Sequence, residues 1–100
     1  LIEDVREEVR EIDEQIIKLV VMRRKLAEKI LEAKKVDKIK INDEEQKKTV
    51  LRRVEKTARA NNLDENAIKE IFKILIEMNT KRQYELLGKT KNKKRKRKRF

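Results

Sequence analysis

One hundred residues make one domain, and 37% apolar with 49% charged residues, one Gly and no Pro is the composition of long, solvated helices. The formal net charge is +11, and Cys, His and Ser are all absent. These absences exclude disulfides and the usual nucleophile and base constellations, leave only carboxylates for a zinc site, and with a single Gly rule out a glycine-rich phosphate loop. Any catalysis must then work by orientation and placed charge, with no metal and no cofactor expected. The lack of Cys suits a reducing compartment, the charged N-terminus does not resemble a signal peptide, and no apolar run is long enough to span a membrane, so a cytoplasmic protein is expected.

Ile2 to Lys34 carries apolar residues at positions 2, 5, 9, 12, 16, 19, 26 and 30, alternating steps of three and four that lay one stripe along a helix. Two cations interrupt it: Arg23 stands between Leu19 and Leu26, and Lys34 follows Ile30. Their separation amounts to about 1100° of helical rotation, so both point the same way, with Cα atoms roughly 16 Å apart. No Asp or Glu of this helix shares their line. Either these long side chains snorkel to water, or an anion from another helix or a ligand meets them, because an inward cation alone is costly. A small dianion about 16 Å or less from end to end would satisfy both. The helix itself is roughly 50 Å long, against a radius of gyration of about 13 Å for a compact globule of this size. It must overhang its own subunit, and a second copy of the chain is expected to cover the overhang through a two-fold interface.

Beyond Lys34 the period breaks, in the run KVDKIKI over residues 35–41. Asn42 or Asp43 is placed as an N-cap, and Glu44 and Glu45 suit the positive end of a helix dipole. This predicts a second helix from about Glu44 to Ala60, with an inward line through Val50, Leu51, Val54 and Ala58. One turn back that line meets Lys47, either solvated near the helix start or a further cation on the inner edge. Asn61 and Asn62 supply a stop. Asp64 caps a third helix, with Leu63 and Ile68 placed as a hydrophobic staple. Its stripe runs through Ile68, Ile71, Phe72, Leu75 and Leu86, and between the last two the inward positions fall to Met78 or Asn79 and to Arg82 or Gln83. Asn79 and Gln83 face one side, as an interhelical hydrogen-bond pair or as part of a ligand site.

Gly88 is expected to end that helix, dividing a helical domain over residues 1–88 from a tail over 89–100, KTKNKKRKRKRF, with nine basic residues in twelve. Without them 21 basic residues face 19 acidic ones, so nearly all the net charge sits in the tail. Such a block is expected to be disordered or loosely helical, an accessory able to contact nucleic acid or another anion nonspecifically through Lys89 to Arg99.

Over roughly Val5 to Leu87, the spacing of Asp13, Arg23-Arg24-Lys25-Leu26-Ala27, Ala33-Lys34, Ile41-Asn42-Asp43, Leu63-Asp64-Glu65-Asn66 and Phe72 to Glu77 resembles the all-helical class of chorismate mutase. The resemblance implies an all-α fold, a three-helix protomer with a long first helix, interlocked as a helical homodimer with two active sites lined by both chains. It implies the rearrangement of chorismate to prephenate, on the route to phenylalanine and tyrosine. It assigns one carboxylate of this dicarboxylate substrate to Arg23 and the other to Arg6 of the partner chain. Lys34 and Gln83 become donors to the ether oxygen of the breaking bond, the backbone amide of Asp43 meets the substrate hydroxyl, and Asn79 stands where the family often has a small hydroxyl residue touching a carboxylate. Arg6 and Arg23 lie about 25 Å apart along one helix, which agrees with their coming from different chains.

Gln46-Lys47 departs from the family, which has an Arg-Glu pair there. The family's glutamate accepts a hydrogen bond from the substrate hydroxyl, and a lysine cannot accept one. Glu44 or Glu45 would have to swing in, or Lys47 would contact a carboxylate, and a slower mutase or an altered hydroxyl contact is expected. Other readings stay open: a lyase on the same scaffold that eliminates pyruvate from isochorismate, a non-catalytic helical dimer whose tail binds nucleic acid, and a regulatory module that binds an aromatic product.

Overall fold

The computed structural model consists of three helices, α1 (Ile2–Asp37), α2 (Glu44–Ala60) and α3 (Glu65–Arg99). It describes residues 1–99, with side chains through Gly88, and no strand occurs among the described residues. Both α1 and α2 pack on α3 and not on each other. Among the described residues the buried apolar set is small: Ala27 and Leu31 of α1 with Val54 and Ala58 of α2. Val50, Leu51, Ile68, Phe72, Leu75 and Leu86 are half-buried around it, whereas Ile71, expected on the inner stripe of α3, is exposed.

The helix ends follow from local chemistry. Asp43 caps α2, its side chain accepting from the Gln46 backbone N–H at 3.2 Å, and Asp64 caps α3 by accepting from Ala67 N–H at 3.0 Å. α1 runs three residues further than the broken periodicity predicts and closes at Lys38, whose φ of 58° is left-handed. Ile39 N–H donates to Lys34 O at 2.8 Å and Lys38 N–H to Lys35 O at 3.4 Å, the paired bonds of a Schellman motif. α2 ends the same way, Leu63 N–H donating to Ala58 O and Asn62 N–H to Arg59 O, with Asn62 as the left-handed residue. Two ion pairs fasten this corner, Lys69 to Glu55 at 2.6 Å and Arg59 to Glu65.

Gly88 does not stop α3. Its φ is not positive, and an added Cβ would meet nothing within 4 Å. Glycine inside a helix costs only about 1 kcal/mol relative to alanine, which weakens a helix without ending it. The side chains of the basic segment 89–99, and Phe100 altogether, lie outside the described residues.

The first half of α1 projects past the other helices. Ile2, Val5, Val9, Ile12, Ile16 and Leu19 are each more than half exposed, and the radius of gyration is 18.1 Å. The long helix therefore carries its apolar stripe past the rest of the fold, and only the part from about Arg23 onward frames an interior.

Candidate active site

Where that part of α1 faces the start of α2 and the middle of α3 there is a cleft of about 320 Å³. Seven of the eight residues singled out in the sequence line it: Arg23 and Lys34 from α1, Asp43, Gln46 and Lys47 from the start of α2, and Asn79 and Gln83 from α3. Ile30, Val50 and Ile76 add apolar walls. The eighth, Arg6, does not reach it; it sits exposed on the overhang, paired with Glu3 at 2.5 Å.

Arg23 is half-buried, with Cζ 5.9 Å from the centroid of the Phe72 ring, a cation–π distance. Its Nε is buried without a hydrogen-bond partner. Lys34 is also half-buried, and its Nζ donates to Ile41 O at 2.6 Å, which ties α1 to the loop before α2. An ammonium has three donors, so two remain. Burial pushes the Lys34 pKa below the ordinary lysine value, and the Asp43 carboxylate partly restores it. Asp43 is present because it caps α2, so the positive end of that helix dipole also opens beside the cleft. Lys47 turns inward along the line extrapolated from Val54 and Val50, and its Nζ lies 3.3 Å from Glu44.

Of the paired alternatives on α3, Asn79 and Gln83 face the cleft, while Met78 and Arg82, with Asn79, border a second cavity of about 290 Å³. Gln83 is the most enclosed polar side chain described, at 2% exposure. Its Nε2 donates to Asn79 Oδ1 at 2.7 Å, and Asn79 Nδ2 donates to Arg23 O at 3.1 Å, so a chain of hydrogen bonds joins α3 to α1. Sequence reading missed Thr80 and Ile41 as lining residues. Ile76 was missed as well; Thr80 was detectable, three residues before Gln83 on the same helix, whereas Ile41 belongs to an irregular loop without a period to read.

The arrangement is a pocket with three cations, three amides, the capping carboxylate of Asp43 and apolar walls, and no pair of groups suited to move a proton. It fits a small polyanion. Among the described residues no group of three His, Cys, Asp or Glu could hold a metal, and no helix is long and apolar enough to cross a membrane.

The family model for chorismate mutase type II matches residues 5–84, a span that takes in Arg6 and every polar residue of the cleft. The chain belongs to the chorismate mutase type II family. It is similar to the chorismate mutase of Methanocaldococcus jannaschii, 40% identical over 93 residues that make up 93% of this chain and 94% of that protein. It is also similar to the bifunctional chorismate mutase/prephenate dehydratase of Buchnera aphidicola subsp. Schizaphis graminum, 34% identical over 84 residues, 84% of this chain and 22% of that one. The chorismate mutase span stops short of Gly88, so the basic segment lies beyond it.

Proposed function

We propose that the cleft rearranges chorismate to prephenate, in a homodimer whose two sites each draw residues from both chains. The observation that carries this reading is the convergence of Arg23, Lys34 and Gln83 on one partly apolar cleft, in a chain of this family. The rearrangement is intramolecular: one carbon–carbon bond forms as the ether carbon–oxygen bond breaks, with no proton transferred and no external reactant. A site without nucleophile or base is therefore not deficient. It has to hold a flexible dianion in a compact chair-like shape and stabilise charge growing on the ether oxygen.

Arg23 binds one carboxylate, and Lys34 and Gln83 donate to the ether oxygen. Lys34 reaches it as an ammonium already anchored on Ile41 O, and the arriving dianion favours that charged form. Gln83, a neutral amide, donates at any ordinary pH. The second carboxylate needs a cation from elsewhere, and Arg6 of a second copy is suited, because the overhang that carries it exposes an apolar row in want of cover. Asp43 N–H meets the hydroxyl, with Gln46 and Lys47 beside it.

The test is loss of chorismate on the full chain, wild type against Arg23→Ala, with pyruvate release from isochorismate as the comparison. Wild type consumes chorismate and forms prephenate, and Arg23→Ala is slower by about 10²-fold or more. Equal rates for the two proteins, or faster turnover of isochorismate, would remove the proposal. Lys89 to Arg99 act as an accessory anion-binding segment: deleting residues 89–100 leaves turnover largely intact and removes salt-sensitive affinity for nucleic acid, measured across a salt series.

A further inference from the structure

The side-chain amide of Gln83 is almost wholly enclosed, and its two ends are nearly identical in shape. Which end a ligand meets is decided by its neighbours. The polar atom that fixes them is the main-chain oxygen of Arg23, which can only accept. Asn79 Nδ2 donates to that oxygen at 3.1 Å, so Asn79 must turn its Oδ1 the other way. That Oδ1 accepts from Gln83 Nε2 at 2.7 Å, so Gln83 in turn must present its nitrogen. A backbone carbonyl of α1 thereby orients two amides of α3 in sequence.

A second observation shows that this orientation is imposed. Gln83 Oε1 is buried and accepts no hydrogen bond, a costly state for a carbonyl oxygen. Turning the amide over would set Oε1 against Oδ1 of Asn79, acceptor against acceptor, so the relay from Arg23 holds it in place. Nε2 carries two N–H groups; Asn79 takes one, and the other stays available in the cleft. We infer that Asn79 is a positioning residue for the rearrangement, acting through Gln83 by keeping an Nε2 proton directed at the ligand, and not by binding a carboxylate itself. The inference rests on the reading of Gln83 as an ether-oxygen donor.

Steady-state kinetics of the full chain separate the two. Gln83→Ala must be slower than wild type; if it is not, the donor reading of Gln83 fails and the relay with it. With that drop in hand, Asn79→Ala is expected to lower kcat about tenfold with KM within about twofold, and the double variant to be no slower than Gln83→Ala alone, since Asn79 then has nothing to act through. Losses that multiply, a loss carried by KM, or an Asn79→Ala enzyme with wild-type kcat would each overturn the relay while leaving the donor reading intact. A measurement on the wild-type protein does not depend on any variant folding. In the ligand-free state, NMR should find one Gln83 side-chain amide proton exchanging far more slowly than those of an exposed glutamine. Two fast protons would overturn the proposal.

Discussion

Lys47 puts a third cation against the cleft where, on the proposed reading, a hydroxyl of the substrate needs an acceptor, and Glu44 is 3.3 Å from its ammonium. A lysine side chain only donates. Lys47→Glu supplies the missing acceptor and is expected to raise kcat/KM by about three- to tenfold, the worth of one net hydrogen bond. An unchanged or lower value in a chorismate concentration series would mean that Lys47 serves as a cation. Lys34 makes a second prediction, because burial lowers its pKa in the free protein. If Lys34 donates to the ether oxygen as proposed, catalysis needs the ammonium, so kcat/KM falls on the alkaline side at a pH below the ordinary lysine value, while kcat, which reports the complex with a dianion, holds to higher pH. The same shift acts oppositely on folding. The folded chain binds fewer protons than the unfolded one between the lowered and the ordinary pKa, so this group's cost to stability is present at neutral pH and is relieved as pH rises through that window. Lys34→Arg, which stays charged, should abolish the alkaline limb whatever its rate; a limb that persists belongs to another group. Arg23, Lys34 and Lys47 were all legible in the sequence, since each occupies a step where the apolar period asks for something else. The bonding of Asn79 was not, because which amide end points where depends on a main-chain oxygen fifty-six residues away.

At the scale of the helices, the two Schellman ends differ in how well the sequence announces them. Asn62 is a residue that tolerates left-handed φ, and the stop at Asn61 and Asn62 could be read directly. Lys38 adopts the same conformation without any such aptitude, which is why the broken period after Lys34 places the end of α1 three residues too early. Left-handed φ costs a lysine roughly 1–2 kcal/mol, and glycine gives back part of that through its freer unfolded chain. Lys38→Gly is therefore expected to stabilise the protein by about 0.5–1 kcal/mol, read as a higher urea midpoint at unchanged m-value. A lower midpoint would mean that Lys38 makes up its strain through contacts of its side chain. The opposite lesson comes from Gly88, where a residue that often ends helices sits inside one, because its conformation there is ordinary and nothing crowds it. The capped ends at Asp43 and Asp64 were legible for the reason that makes them stable: one side-chain oxygen satisfies an N–H group that the helix leaves open.

The whole chain leaves much of its apolar surface uncovered. Its core is small and its longest helix leaves six large apolar side chains of one stripe more than half exposed. The cleft gathers seven of the eight residues singled out in the sequence, while Arg6 stands on the overhang about 25 Å from Arg23 along the same helix. If Arg6 serves the site of a partner, every working site needs Arg6 from one chain and Arg23 from the other, and the two can be disabled separately. Arg6→Ala and Arg23→Ala homodimers should each be nearly inactive. When the two variants are unfolded together, mixed and refolded, half the dimers are hybrids, and in each hybrid one site has lost both arginines while the other has both. Turnover should then recover to about a quarter of the wild-type value at equal protein concentration. No recovery, with mixed dimers demonstrated by mass, would place both arginines in one chain's site or remove Arg6 from the site altogether. Recovery that appears only after refolding, and not on brief mixing, would further show that exposing the α1 stripe is the slow step in exchanging partners.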